Sequence, residues 1–314
     1  MDNFKCVIIL SILAIIFISG CTIPGTDNVS EQKSKGLNIL DFEPDFSEVR
    51  SGEPVTLKLR LKNTGTSKVE NGFAEVLGLD FTWKGDKGTE VIDNEVLPDE
   101  EECKYTKKIM TLLPESQGVE AGEAICTWRY IAPDVQKGIF VEYKPRVRVY
   151  YNYYSFVQKS ISIVSRNELK MYQDQGKPLP SETTQKSEAP INLDMEIKTP
   201  IRVYENMIEF PVVIKIDNIG GGVACLDSAS CKKPDPEWNV LNIKIEMPDG
   251  LTLKDCEEYD NKEGKVYLVR GKSQTISCKI NVRSVPENLV QKNIKITAKY
   301  GYFVEKETYI KVIG

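Results

Sequence analysis

The chain has 314 residues, a hydrophobic share of 41%, a charged share of 28% and a net charge of −5. That length and composition suit two domains of ordinary size with packed cores, and without a basic stripe nucleic acid is not an expected partner. The sequence contains no histidine, which removes the usual acid–base group near neutral pH and the commonest metal ligand.

The first element is an apolar run from Val7 to Ile18, preceded by Lys5 and followed by Ser19-Gly20. As a helix it rises about 18 Å, short of the ~30 Å hydrocarbon core of a membrane. This is the layout of a secretory signal peptide over residues 1–20. Ile18-Ser19-Gly20-Cys21 resembles the lipobox of prokaryotic lipoproteins. That resemblance implies cleavage before Cys21 and lipid attachment to its thiol, and hence a membrane partner reached through the lipid anchor. Residues 21–36 are polar and without hydrophobic period, so they read as a flexible tether spanning roughly 20 Å.

Two copies of one unit follow. Leu59-Arg60-Leu61-Lys62-Asn63-Thr64-Gly65 matches Ile214-Lys215-Ile216-Asp217-Asn218-Ile219-Gly220. Each reads as an alternating strand entering an Asn-x-Gly turn, where Asn and Gly tolerate positive φ. Cys103 and Cys126 recur as Cys256 and Cys278 at nearly the same spacing, and Pro133 recurs as Pro286. A long alternating strand then carries Tyr151 and Tyr153 in the first copy, Tyr300 and Tyr302 in the second. A closing strand is expected at Ser160–Val164 and again at Thr308–Val312. Domain 1 is therefore placed at 37–164 and domain 2 at 191–314. The polar, proline-containing segment 165–190 reads as a flexible linker with a helical turn near Asn167–Tyr172. Short alternating strands and frequent turn signals predict an all-β fold of two tandem antiparallel β-sandwiches.

The segment Ser51-Gly52-Glu53-Pro54-Val55-Thr56-Leu57-Lys58-Leu59-Arg60-Leu61-Lys62-Asn63-Thr64-Gly65 resembles CARDB-type immunoglobulin-like domains of archaeal and bacterial surface proteins. The matching residues are Gly52-Glu53 before the strand and Lys62-Asn63-Thr64-Gly65 after it. The arrangement as a whole resembles archaeal S-layer-like envelope proteins. These motifs are structural, so the resemblance implies a fold and a location more than an activity.

An even set of six cysteines remains beyond Cys6 and Cys21. In an exported chain that suggests disulfides. The repeat favours Cys103–Cys126 and Cys256–Cys278, which leaves Cys225–Cys231 as a local bridge. A zinc site from the last four lacks any Cys-x-x-Cys pair and any first-domain counterpart. No metal and no cofactor is expected. Asp99-Glu100-Glu101-Glu102, and Asp255 with Glu257, Glu258 and Asp260, lack the spacing that converges on calcium and read as solvated loops. No catalytic motif is present: Gly220-Gly221-Gly222 is a turn without the Lys-Ser/Thr of a phosphate loop.

Tyr150–Phe156 reads as an aromatic hairpin. Alternation with Val147 and Val149 turns Tyr151 and Tyr153 inward and Tyr150 and Tyr154 outward, where they can anchor a partner or stack on sugar. The expected function is that of a non-catalytic lipoprotein on the outer face of the cell membrane. It serves as a spacer or as a module recognising an envelope protein or glycan. The alternative is a solute- or glycan-binding lipoprotein delivering its ligand to a membrane transport system.

Overall fold

The computed structural model describes residues 35–85, 110–204, 209–233, 237–257, 259 and 264–314. The first copy contains strands β1 (Leu37–Pro44), β2 (Glu48–Arg50), β3 (Pro54–Asn63), β4 (Val69–Leu77), β5 (Lys84–Gly85), β6 (Met110–Leu112), β7 (Glu123–Ile131), β8 (Phe140–Tyr143) and β9 (Arg146–Ser165). Helix α1 (Arg166–Asp174) and strand β10 (Thr184–Lys186) follow. The second copy contains β11 (Ile191–Glu196), β12 (Ile201–Val203), β13 (Glu209–Asn218), β14 (Val223–Cys225), helix α2 (Ser228–Cys231), β15 (Val240–Glu246), β16 (Leu251–Lys254), β17 (Lys265–Tyr267), β18 (Ser273–Val282), β19 (Val290–Glu307) and β20 (Ile310–Ile313).

Alternation decides the faces. In β3, Val55, Leu57, Leu59 and Leu61 are buried, and in β13 Phe210, Val212, Ile214 and Ile216 are their counterparts. The two copies build four-stranded sheets of the same order, β1-β3-β7-β5 and β11-β13-β18-β16. Each packs its apolar face against a single nine-stranded sheet, whose path runs β17-β15-β19-β9-β4-β6. The expected all-β fold of packed, largely antiparallel sheets is what the chain forms.

The domain boundaries are different from those expected. Residues Ser34–Gly314 form one compact unit. The reason is the length of β9 and β19, which pair antiparallel along all 18 residues of β19. Each strand is longer than its own sandwich needs and continues into the other. The end of β9 reaches the second copy, where Ser155 Oγ donates to the Ile191 carbonyl at 2.7 Å and β12 pairs with Ile163–Ser165. The end of β19 reaches the first copy, where Lys306 Nζ donates to the Leu40 carbonyl at 2.9 Å. Strand β20 then joins β2 and β8. The expected separate closing strand at Ser160–Val164 is therefore the tail of β9, and the expected hairpin at Tyr150–Phe156 is uninterrupted strand.

The expected flexible linker is also corrected. Ser165 caps α1 through a hydrogen bond from the Glu168 amide, and β10 pairs with β9. Ordered backbone here satisfies the edge of β9 that β4 leaves uncovered.

The repeat has a chemical signature in the fold. In the first copy the Tyr153 hydroxyl donates to Asn63 Oδ1 at 3.2 Å and accepts from the Ser67 amide at 3.2 Å. In the second, the Tyr302 hydroxyl donates to Asn218 Oδ1 at 2.6 Å and accepts from the Gly222 amide at 2.8 Å. The same asparagines donate to Ser67 and Leu112 carbonyls, and to Gly222 and Gly271 carbonyls. A Cβ on Gly65 would lie 2.1 Å from the Tyr153 hydroxyl, so the glycine of the turn admits the tyrosine.

Candidate ligand-binding groove

The outward face of the nine-stranded sheet carries the remaining chemistry. Cross-strand pairing sets Arg148 opposite Glu305, Tyr150 opposite Phe303, Asn152 opposite Gly301, Tyr154 opposite Lys299 and Phe156 opposite Thr297. The inward face is a cluster of Tyr151, Tyr153, Tyr300 and Tyr302, with ring centroids 5.8–6.5 Å apart. Tyr151 and Tyr153 point into the core as expected.

Tyr150 does not face solvent. It is 1% exposed, because Cys225 at the end of β14 and Cys231 in the excursion that follows pack over it together with Phe303. The first turn of this excursion is closed by the Cys225–Cys231 disulfide, and within it Asp227 caps α2 by accepting from the Ser230 amide at 2.6 Å. It lies on Gly301, where a Cβ would meet the Asp227 backbone at 2.1 Å. The Ser228 amide donates to Asn152 Oδ1 at 2.6 Å. Beneath it Tyr150 stacks on Phe73 at 4.6 Å and donates to Glu75, which also faces Lys232 at 3.4 Å. Burial first, then the Glu75 hydrogen bond, pushes the Tyr150 phenol well above its ordinary value. A partner contact at Tyr150 is therefore excluded, since its ring fills an internal contact. Alternation places a side chain on a face but carries no information on what a distant loop covers.

Tyr154 is half-exposed and floors a groove of about 610 Å³. Phe156 lies beside it, centroids 5.9 Å apart and planes 30° apart. Thr66, Ser67, Lys68 and Glu70 form one wall, Leu226 and Asp227 close one end, and Lys299 and Asn152 complete the lining. Ser67 Oγ donates to the Tyr154 carbonyl at 2.8 Å, fixing that wall to the strand. Lys68 is paired with Glu70. Burial raises the Asp227 carboxyl, but hydrogen bonds from the Ser230 hydroxyl and amide outweigh it and hold the group below its ordinary value. Asp227 therefore stays an anion near neutral pH.

Two expected disulfides are present, Cys225–Cys231 and Cys256–Cys278. Cys126 is disulfide-bonded, while its expected partner Cys103 lies outside the described residues. Cys21, Asp99-Glu100-Glu101-Glu102, Glu258 and Asp260 also lie outside them. Among the described residues no three His, Cys, Asp or Glu side chains gather as metal ligands, and no helix is long and apolar enough to cross a membrane. Asn152, Phe156, Asp227 and Lys299 carry no sequence motif. Only the repeat and strand pairing bring them together.

No protein-family model matches this chain, and no curated protein matches it. Among solved structures it is similar to the collagen adhesin (CNA) of S. aureus, at 10% identity and a TM-score of 0.15, over 89% of this chain and 93% of that one. A likeness of that size carries no argument about what this chain does.

Proposed function

We propose that the chain is a non-catalytic surface lipoprotein, anchored through a lipid on Cys21, whose fused sandwiches form a stiff recognition module in the cell envelope. The observation that carries this reading is the β9–β19 ladder, which joins the two halves without a hinge and leaves an aromatic groove on its outer face. A stiff body held off a membrane by a short tether suits recognition or spacing. The lipobox-like Ile18–Cys21 and the CARDB-like segment from Ser51 to Gly65, with its archaeal S-layer-like setting, support the same location.

Labelling cells with a lipid precursor tests the anchor. Wild type is expected to take the label and to fractionate with membranes. Cys21→Ala is expected to lose the label. Equal labelling of both would sink the lipid assignment.

A second reading, delivery of a solute or glycan to a transport system, draws on the groove. Closure around a small solute needs a hinge, and the ladder offers none. Small-angle scattering that contracts on ligand addition would favour that reading.

A further inference from the structure

The groove lies beside the largest departure from the internal repeat. The repeat relates Asn152 to Gly301, and these two residues pair with each other, so a pseudo-two-fold axis passes between them. That axis also relates Tyr154 to Phe303. Near the axis the first copy has only a bulge, with Asn71 and Gly72 between Glu70 and Phe73. The second copy has the excursion at the corresponding place, between Cys225 and Asn242, with the Cys225–Cys231 disulfide closing its first turn.

The excursion roofs one aromatic and leaves its counterpart open. Phe303 is 4% exposed, with the Trp238 ring at 5.5 Å and the Arg148 guanidinium at 4.6 Å. Arg148 is paired with Glu305. Tyr154 has no such roof among the described residues. The face around it holds Lys244, Lys295 and Lys299. Glu246 is paired with Lys244 at 2.8 Å and feels Lys295, whose ammonium lies 6.0 Å from the Phe156 ring. Lys299 has no carboxylate partner among the described residues. Asn152 spends its Oδ1 on the Ser228 amide, which leaves its NH₂ for a ligand.

We propose that this groove binds an acidic oligosaccharide. The proposal rests on the recognition reading above and names its ligand class. A sugar ring has an apolar C–H face that suits the adjacent Tyr154 and Phe156 rings, and a rim of hydroxyls that suits Asn152 and Asp227. A carboxylate on the sugar completes Lys299. An extended peptide would instead seek backbone groups at a sheet edge, and a sheet face offers none.

The full chain in detergent is titrated calorimetrically with tetragalacturonate, a hyaluronan tetrasaccharide, maltotetraose and hexaglutamate. At least one acidic sugar binds, and maltotetraose binds more weakly. Tyr154→Ala and Lys299→Met each weaken the acidic sugar at least about tenfold, added salt weakens it further, and Lys311→Met leaves it unchanged. Both substituted side chains reach solvent, and thermal melts confirm that the variants fold. Binding of neither acidic sugar overturns the proposal, as does unaltered binding by the two groove variants. Tighter binding of hexaglutamate overturns it in favour of an acidic peptide. Membrane anchorage is read separately by the Cys21→Ala comparison, so failure of the sugar site and failure of the anchor are distinguishable.

Discussion

Tyr302 donates its hydroxyl proton to Asn218 Oδ1 at 2.6 Å while accepting from the Gly222 amide at 2.8 Å. One phenol thus closes both the side chain and the backbone of the Asn-x-Gly turn. Tyr302→Phe removes the acceptor from a half-buried amide and the donor from Asn218. The expected loss is about 1–3 kcal/mol, and Tyr153→Phe should cost a similar amount because Asn63 and Ser67 repeat the arrangement. Urea midpoints measure both. A change within experimental error would show that water replaces the phenol and that the motif is ornamental.

Alkaline pH should unfold the protein through its buried phenols. Burial holds Tyr153 at about 12, and burial likewise raises Tyr130, Tyr151, Tyr300 and Tyr302. In the unfolded chain these groups ionise near 10. Above about 10 the unfolded chain has released protons that the native chain keeps, so stability falls as pH rises toward 12. Tyrosinate absorbance followed beside the circular dichroism of the sheets checks this. The buried phenols should ionise only as the sheet signal collapses. Ionisation of all 14 tyrosines near pH 10 in a folded chain would contradict it.

The two described disulfides should differ in worth. Cys225–Cys231 spans a sequence separation of 6 and Cys256–Cys278 one of 22. In the chain-entropy account these loops are worth about 2 and about 3 kcal/mol. The double serine variant at 256 and 278 should therefore show the lower urea midpoint. The variant at 225 and 231 should keep most of its stability but expose Tyr150 and Phe303, detected as binding of a hydrophobic dye. A dye-silent variant would mean that packing alone holds the excursion.

Gly301→Ala tests the seat of the excursion. The added methyl would meet the Asp227 backbone at 2.1 Å, and backbone on both sides has little room to yield. Overpacking of this kind costs about 1–3 kcal/mol. Trp238, already 42% exposed, should be lifted from Phe303, and its fluorescence should shift to the red. An unchanged spectrum with an unchanged midpoint would place the excursion elsewhere.

The duplicated strands, the inward Tyr-x-Tyr pairs and two of the cysteine pairings are legible in the residues. They depend on local rules: side-chain period 2 along a strand, turn chemistry at Asn63-Thr64-Gly65 and Asn218-Ile219-Gly220, and recurrence of cysteines at nearly equal spacing, which leaves Cys225 and Cys231 to each other. The helical turn near Asn167 is legible for the same reason, since Ser165 and Glu168 form a local cap. The burial of Tyr150 is not, because the segment that covers it lies far along the chain.

The sequence alone determined the all-β class, the repeat and which face of each strand is apolar, because these follow from alternation and turn residues within one segment. Only the tertiary structure decided that β9 and β19 pair along their whole length and merge two expected domains into one body. It also decided that the excursion roofs Phe303 and leaves Tyr154 open. Backbone hydrogen bonding between strands is nearly indifferent to side-chain identity, so which edges meet is settled by packing across the whole molecule.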